Sequence, residues 1–289
     1  MRSLSRFART VTLAVALAWL LYVLASWLLA WNPADAGAYY DAAHRLRSGD
    51  PLYAPSHPEA HELYRYAPWF AYAWIPMTYL PRDLALHSWS LAMLVSSAVA
   101  IWPLVRHRTH ASLALAALLG AFLAETAMFG NAHPAVVALL VAAAGRAGIG
   151  FPLAVGVATS IKLVPILFAA AWLGRREWMP LFLAVGGAAI LWAHALAFDL
   201  REYVTDPGTG LLSIYAVSPL LWGILAAGSA TVAAVAVVRR SRWVWVALSV
   251  LMFLGPPRVV LSYLAFLVPA VVVSWREAAS SAARQDSGR

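Results

Sequence analysis

The strongest constraint on this chain is a series of apolar blocks, each about as long as a bilayer is thick. Residues 11–31, 84–105, 111–129, 151–173, 179–198, 211–238 and 259–275 are nearly free of charge. A helix rises about 1.5 Å per residue, so about 20 such residues cross a hydrocarbon core about 30 Å thick. A further block at 243–254 is shorter, and two pieces at 67–80 and 134–144 fit a tilted short span or a re-entrant helix equally well. Charged residues make up 12% of the chain and hydrophobic ones 62%, whereas soluble domains carry about 25% charged residues. A water-facing surface cannot be built from that supply. The expectation is an all-α, polytopic transmembrane helix bundle forming one integral membrane domain over residues 1–289, with a frayed polar tail at 280–289.

Charge then sets orientation. The formal net charge of +8 sits in short clusters between the apolar blocks, the pattern of membrane topology rather than of a nucleic-acid surface. Arg2, Arg6, Arg9, Arg175, Arg176, Arg239, Arg240, Arg242, Arg276 and Arg284 lie beside segment ends and read as cytoplasmic. Residues 32–66, 199–210 and 255–258 then lie outside. Arg106, Arg108 and Arg146 fit that scheme only if both short pieces are re-entrant, which also puts residues 130–133 outside. The first block is too long for a signal-peptide core and ends in Trp27 and Trp31, so it reads as an uncleaved helix. With no cysteine in the chain, disulfides, thiolate metal sites and cysteine nucleophiles are excluded.

The outer loop 32–66 holds the largest group of carboxylates, namely Asp35, Asp41, Asp50, Glu59 and Glu62. Asn32-Pro33 opens a helix and Gly49 closes it, so residues 34–48 read as one amphipathic helix. Asp35 shares a face with Ala38, Tyr39, Ala42, Ala43 and Leu46, whereas Asp41 lies opposite with His44, Arg45 and Ser48. Asp41 is expected to pair with Arg45 one turn on. Asp35 reads either as a carboxylate suited to a helix N-terminus or as a functional group facing membrane and protein.

Few polar groups interrupt the apolar blocks. Lys162 lies deep in block 151–173, where a charge is costly and functional by default, with structural pairing to Glu125 as the alternative. Arg258, Arg65 and Arg201 are further candidate anion holders in outer loops. Asn131, His133 and Glu125 line the same side if residues 130–133 are outside, His133 also being suited to start a helix before Pro134. Tyr39, Tyr40, Tyr53, Tyr64, Tyr66 and Trp69 offer aromatic faces for a sugar or for an interfacial belt. Thr159 and Ser160 read as hydroxyls satisfying helix carbonyls. His44, His57 and His61 lack a ligand set, so no metal and no cofactor is expected.

Five pieces in order carry a resemblance: ADAGAYYDAAHRLRSGDPLY, YRYAPWFAYAWIPMTYLP, FGNAHPAVVALL, VGVATSIKLVPILF followed by Arg175, Arg176 and Trp178, and GPPRVVLSYLAFLVPA. Together they resemble glycosyltransferase family 87, the polyprenyl-phosphate-mannose-dependent mannosyltransferases of the GT-C superfamily. The chain departs from the family pattern at Ala67, where a Pro is usual, at Asn131, where a Gln is usual, and at Ser262, where a His commonly precedes Tyr263. It is also shorter than typical members.

The resemblance implies a hexose, mannose in that family, carried by a polyprenyl-phosphate donor to a glycolipid or glycan acceptor among membrane lipids. It implies Asp35 as the base; Lys162, Arg258, Asn131, Tyr39, Tyr66 and Arg65 are the candidate substrate or phosphate contacts by their own chemistry and placement. A sugar on a lipid phosphate already has a good leaving group, so a single carboxylate base suffices and inversion is expected. The sequence leaves two other classes open: a multi-pass transporter or flippase using Lys162 and Glu125, and an inactive scaffold of the same fold.

Overall fold

The computed structural model describes residues 2–31, 33–53, 63–146, 148–200, 203, 213–257 and 260–287. All regular structure among them is helical. Six segments are long and apolar enough to cross a membrane: Thr10–Leu29, Arg82–Arg106, His110–Met128, Trp178–Ala197, Pro219–Val238 and Leu261–Ala283. Leu17, Leu21, Leu24, Leu28 and Leu29 of the first are exposed, which is stable only with lipid as the solvent. The chain is a multi-pass membrane protein. Its contacts divide it into two compact units, one of Met1–Ala138, Ser160–Lys162 and Ala189–Thr205, the other of Leu139–Thr159, Leu163–Ala188 and Asp206–Arg289.

In the first unit, α1 (Arg2–Ala30) packs along α5 (His110–Met128), which pairs with α4 (Arg82–Arg106). Between α1 and α4 lie α2 (Ala34–Ser48) and α3 (Pro68–Trp74). The bounds of α2 are those the sequence predicts, and Gly49 ends it in the left-handed region at φ +81°. Its buried face is Ala36, Gly37, Ala38, Tyr39, Ala42 and Ala43.

The piece at 67–80 does not cross. Helix α3 runs into a 3₁₀ turn, Ile75–Tyr79, and the whole piece stays against α2. Tyr40 donates to the Leu80 carbonyl at 3.2 Å, and Arg47 donates to Thr78 Oγ1 at 3.1 Å. Pro68, Pro76 and Pro81 each remove an amide donor, which keeps the segment from becoming one long helix.

Two ion-pair expectations change here. Asp41 pairs with Arg82 at 3.5 Å, while Arg45 turns along the chain to donate to the Leu52 carbonyl through Nε at 3.2 Å and an end nitrogen at 3.0 Å. Its fork reaches the carbonyl just past Gly49, in the turn where the helix no longer supplies a donor. Glu125 accepts from the Trp19 indole at 3.0 Å, a neighbour on α1 that hydropathy alone does not reveal.

Helix α6 (His133–Ala144) leads to α7 (Gly150–Ile161), the second unit taking α6 from Leu139 and α7 as far as Thr159. The expected single span over 151–173 is broken. Pro165 has no N–H for the Ile161 carbonyl, and its ring crowds that oxygen, so α7 ends there. A 3₁₀ turn, Val164–Phe168, and α8 (Ala169–Arg175) follow. Lys162 therefore sits at a helix end instead of inside a span. With two short helices in place of one span, α6 need not be re-entrant, and Arg146 lies with Arg276, which donates to the carbonyls of Ala144 at 3.0 Å and of Arg146.

Helices α9 (Trp178–Ala193), α10 (Ile214–Val217), α11 (Pro219–Val238), α12 (Val244–Leu254) and α13 (Leu267–Ser287) complete the chain, α13 carrying the polar tail on as helix. Arg175 holds Glu277 of α13 by two bonds of 2.6 and 3.0 Å. The Trp245 indole donates to the same carboxylate at 3.1 Å, and Arg175 lies 5.4 Å over that ring. Phe151, Phe168, Trp172 and Trp245 pack together in tilted and edge-to-face pairs.

Candidate active site

The site begins where two helix ends meet. The first amides of a helix and its last carbonyls have no partner within it. Here the Asp35 N–H, in the first turn of α2, donates to the Phe129 carbonyl just past α5 at 3.1 Å. Gly130 follows at φ +68°, and a Cβ there would come within 2.5 Å of the Ala36 Cβ. Only glycine tolerates both the angle and the approach. The Trp89 indole donates to the Gly130 carbonyl at 2.7 Å, tying the turn to α4.

That turn delivers Asn131. Its Nδ2 donates to Asp35 Oδ2 at 3.0 Å, and its Oδ1 accepts from the His133 N–H at 2.9 Å. The second bond fixes the amide's sense, because an N–H must face oxygen; the nitrogen is then left for the carboxylate. His133 itself is buried at the start of α6, as its position before Pro134 suggests.

Beside this lies an aromatic cluster that joins Asp35 to Lys162. Tyr39 accepts from the Ala132 N–H at 3.2 Å and donates to the Tyr66 hydroxyl at 2.7 Å. Their rings meet edge to face with centroids 4.9 Å apart. The Lys162 ammonium lies 5.2 Å over the Tyr66 ring, a cation on an aromatic face. The Trp69 indole donates to Ser160 Oγ at 3.0 Å, fixing the end of α7 beside that lysine. Burial pushes the Tyr39 phenol well above its usual range, and the nearby Tyr66 and Asp35 add to the rise. The phenol therefore stays a neutral hydrogen-bonding group.

Several expectations change. Tyr39 is fully buried, and Tyr53, Tyr64 and Tyr66 nearly so, so they form an aromatic core and not an interfacial belt or an open sugar platform. Tyr64 donates to the Ala67 carbonyl at 2.8 Å, Tyr53 to that of Tyr66 at 3.1 Å, and Tyr203 to that of Arg65 at 3.2 Å. Ser160 Oγ accepts the Trp69 indole, a partner that sequence reasoning did not name. Arg65 is half-buried, and its charge favours ionisation of Tyr203 against the burial that pushes that phenol up. Arg258, Arg201, His57 and His61 lie outside the described residues. Among the described residues no group of His, Asp and Glu could hold a metal. Trp89 and the Phe129 carbonyl are site groups that sequence reasoning missed; every residue has a carbonyl, so nothing in the sequence marks that one.

The model of Glycosyltransferase family 87 matches residues 64–207. The matched stretch contains Arg65, Tyr66, Asn131 and Lys162, while Asp35 and Tyr39 precede it and Arg258 follows it. No curated protein and no solved structure matches the chain. Through residues 64–207 this multi-pass membrane protein carries a glycosyltransferase family 87 domain.

Proposed function

We propose that this chain transfers a hexose, mannose by family resemblance, from a polyprenyl-phosphate donor to a glycolipid or glycan acceptor at the extracytoplasmic face. The observation that carries the reading is the grip of Asn131 on the Asp35 carboxylate at 3.0 Å, beside the tyrosine pair that packs under Lys162. A base needs a fixed carboxylate, and a departing lipid phosphate needs a fixed cation.

In the proposed step, Asp35 takes the proton from the acceptor hydroxyl as its oxygen bonds to the anomeric carbon. The bond from that carbon to the phosphate oxygen breaks, and the polyprenyl phosphate leaves with the electron pair and one further negative charge. Lys162 meets that charge, with Arg65 and Arg258 as the other candidate cations. A single displacement inverts the anomeric centre. Asn131 holds the base, and Tyr39 and Tyr66 hold the lysine's platform. The arginines at the opposite ends of α4 and α5 and at the start of α1 support an outward placement of Asp35.

The test is transfer of labelled hexose from polyprenyl phosphate by the purified protein. Asp35→Asn keeps the size and the amide contact but cannot take a proton, so transfer should fall by about 10²-fold or more with the melting temperature retained. Undiminished transfer by that variant would end the assignment of Asp35 as base.

A further inference from the structure

We infer that the arginine-lined cavity at the end of α8, α11 and α13 binds the phosphate headgroup of an anionic membrane lipid. This cavity encloses about 1010 Å³ and is lined by Arg175, Arg240, Arg242 and Arg276 together with Trp243 and Trp275. Two carboxylates also line it, Glu177 and Glu277. Glu277 is taken by the two bonds from Arg175, and Arg276 is spent on backbone carbonyls. Arg240 and Arg242 are exposed, and neither has a carboxylate partner among the described residues. Arg240 uses its Nε on the Gly174 carbonyl at 3.2 Å, which fixes the guanidinium and leaves its end nitrogens toward the cavity. Arg242 stacks 5.2 Å over Trp243.

The backbone gives a second, independent sign that these arginines are kept for their side chains. After α11, Arg240 N–H bonds the Val237 carbonyl and Ser241 N–H that of Ala236. This is the helix stop whose left-handed position usually takes glycine. Arg240 occupies it at φ +50°, and Arg176 does the same after α8 at φ +58°, a conformation unfavourable for any residue with a Cβ.

The composition of the cavity favours a lipid over a soluble anion. Fixed guanidiniums match phosphate oxygens, while Val246, Val271 and the partly exposed Trp243 and Trp275 give an apolar wall at the ends of membrane-spanning helices. The clustered arginines put this end at the cytoplasmic leaflet, where anionic lipids attract such patches.

The experiment uses the full chain in nanodiscs of phosphatidylcholine alone or with a minority of phosphatidylglycerol, reading retained lipid by native mass spectrometry and stability by melting. Wild type should retain phosphatidylglycerol in preference to phosphatidylcholine and melt higher when it is present. Arg240→Gly with Arg242→Gln should lose that preference by about tenfold while melting in phosphatidylcholine no lower than wild type, because glycine suits the left-handed position. If the pair disturbs folding, Arg242→Gln alone, at an exposed position, should still weaken the preference. An unchanged preference in both variants overturns the proposal. So does equal retention of the two lipids by wild type, or the same stabilisation from inorganic phosphate without lipid.

Discussion

Asn131 shows how one side chain sets the chemistry of another. Held through Oδ1 by the His133 N–H, it presents only its nitrogen to Asp35. Asn131→Asp would put a second carboxylate where that donor stands, and two carboxylates in hydrogen-bond contact resist being ionised together, which raises the pKa of the pair. If Asp35 is the base, the pH profile of kcat/KM for that variant should move to higher pH, since more alkali is needed to free it. A profile that drops in height without moving would show that Asn131 serves packing and not the ionisation of Asp35. The family pattern has glutamine here, so a carboxamide was legible in the sequence as a polar outer residue, but its partner was not. Asp35 and Asn131 are 96 positions apart, and no local periodicity links them.

At the scale of elements, the joint between α2 and the α5–α6 turn decides where Asp35 stands. Phe129, Gly130 and Asn131 each contribute one contact, and Gly130 permits the approach through its angle and its missing Cβ. Gly130→Ala should therefore destabilise the protein by about 2 kcal/mol or more, combining a left-handed alanine with overpacking against Ala36. The expected signature is a lowered melting temperature with transfer activity lost in parallel as α2 moves off its seat. A variant as stable as wild type would contradict the close approach. The bounds of α2 were legible because Pro33 and Gly49 are local signals. The break at Lys162 was legible in principle through Pro165, yet hydropathy averaged over the block reads straight through it, because the residues on both sides are equally apolar.

For the whole molecule, hydropathy and arginine placement give a topology that can be tested directly, since the chain has no cysteine. In the first unit, Tyr79 and Arg108 lie at opposite ends of α4 and both are exposed. Single Tyr79→Cys and Arg108→Cys variants in sealed cells should react with an impermeant maleimide on opposite sides, Tyr79→Cys from outside and Arg108→Cys only after permeabilisation. Labelling of both from one side would overturn the assignment of α4 as a span. The catalytic reading depends on the same orientation, because a base at the Tyr79 end reaches only substrates of the outer leaflet.

The sequence by itself determined that this chain lives in lipid, where α2 starts and stops, and that Asp35 and Lys162 are costly residues in need of a reason. Those properties are local: they depend on runs of composition, on proline and glycine, and on the spacing of a single helix. Only the tertiary structure decided which groups meet. It gave Asp35 to Asn131, Asp41 to Arg82 and Glu125 to Trp19, and it buried the tyrosines that the sequence offered as open faces. Each of those outcomes depends on side chains brought together from distant parts of the chain, and such pairings carry no signal of their own in the order of residues.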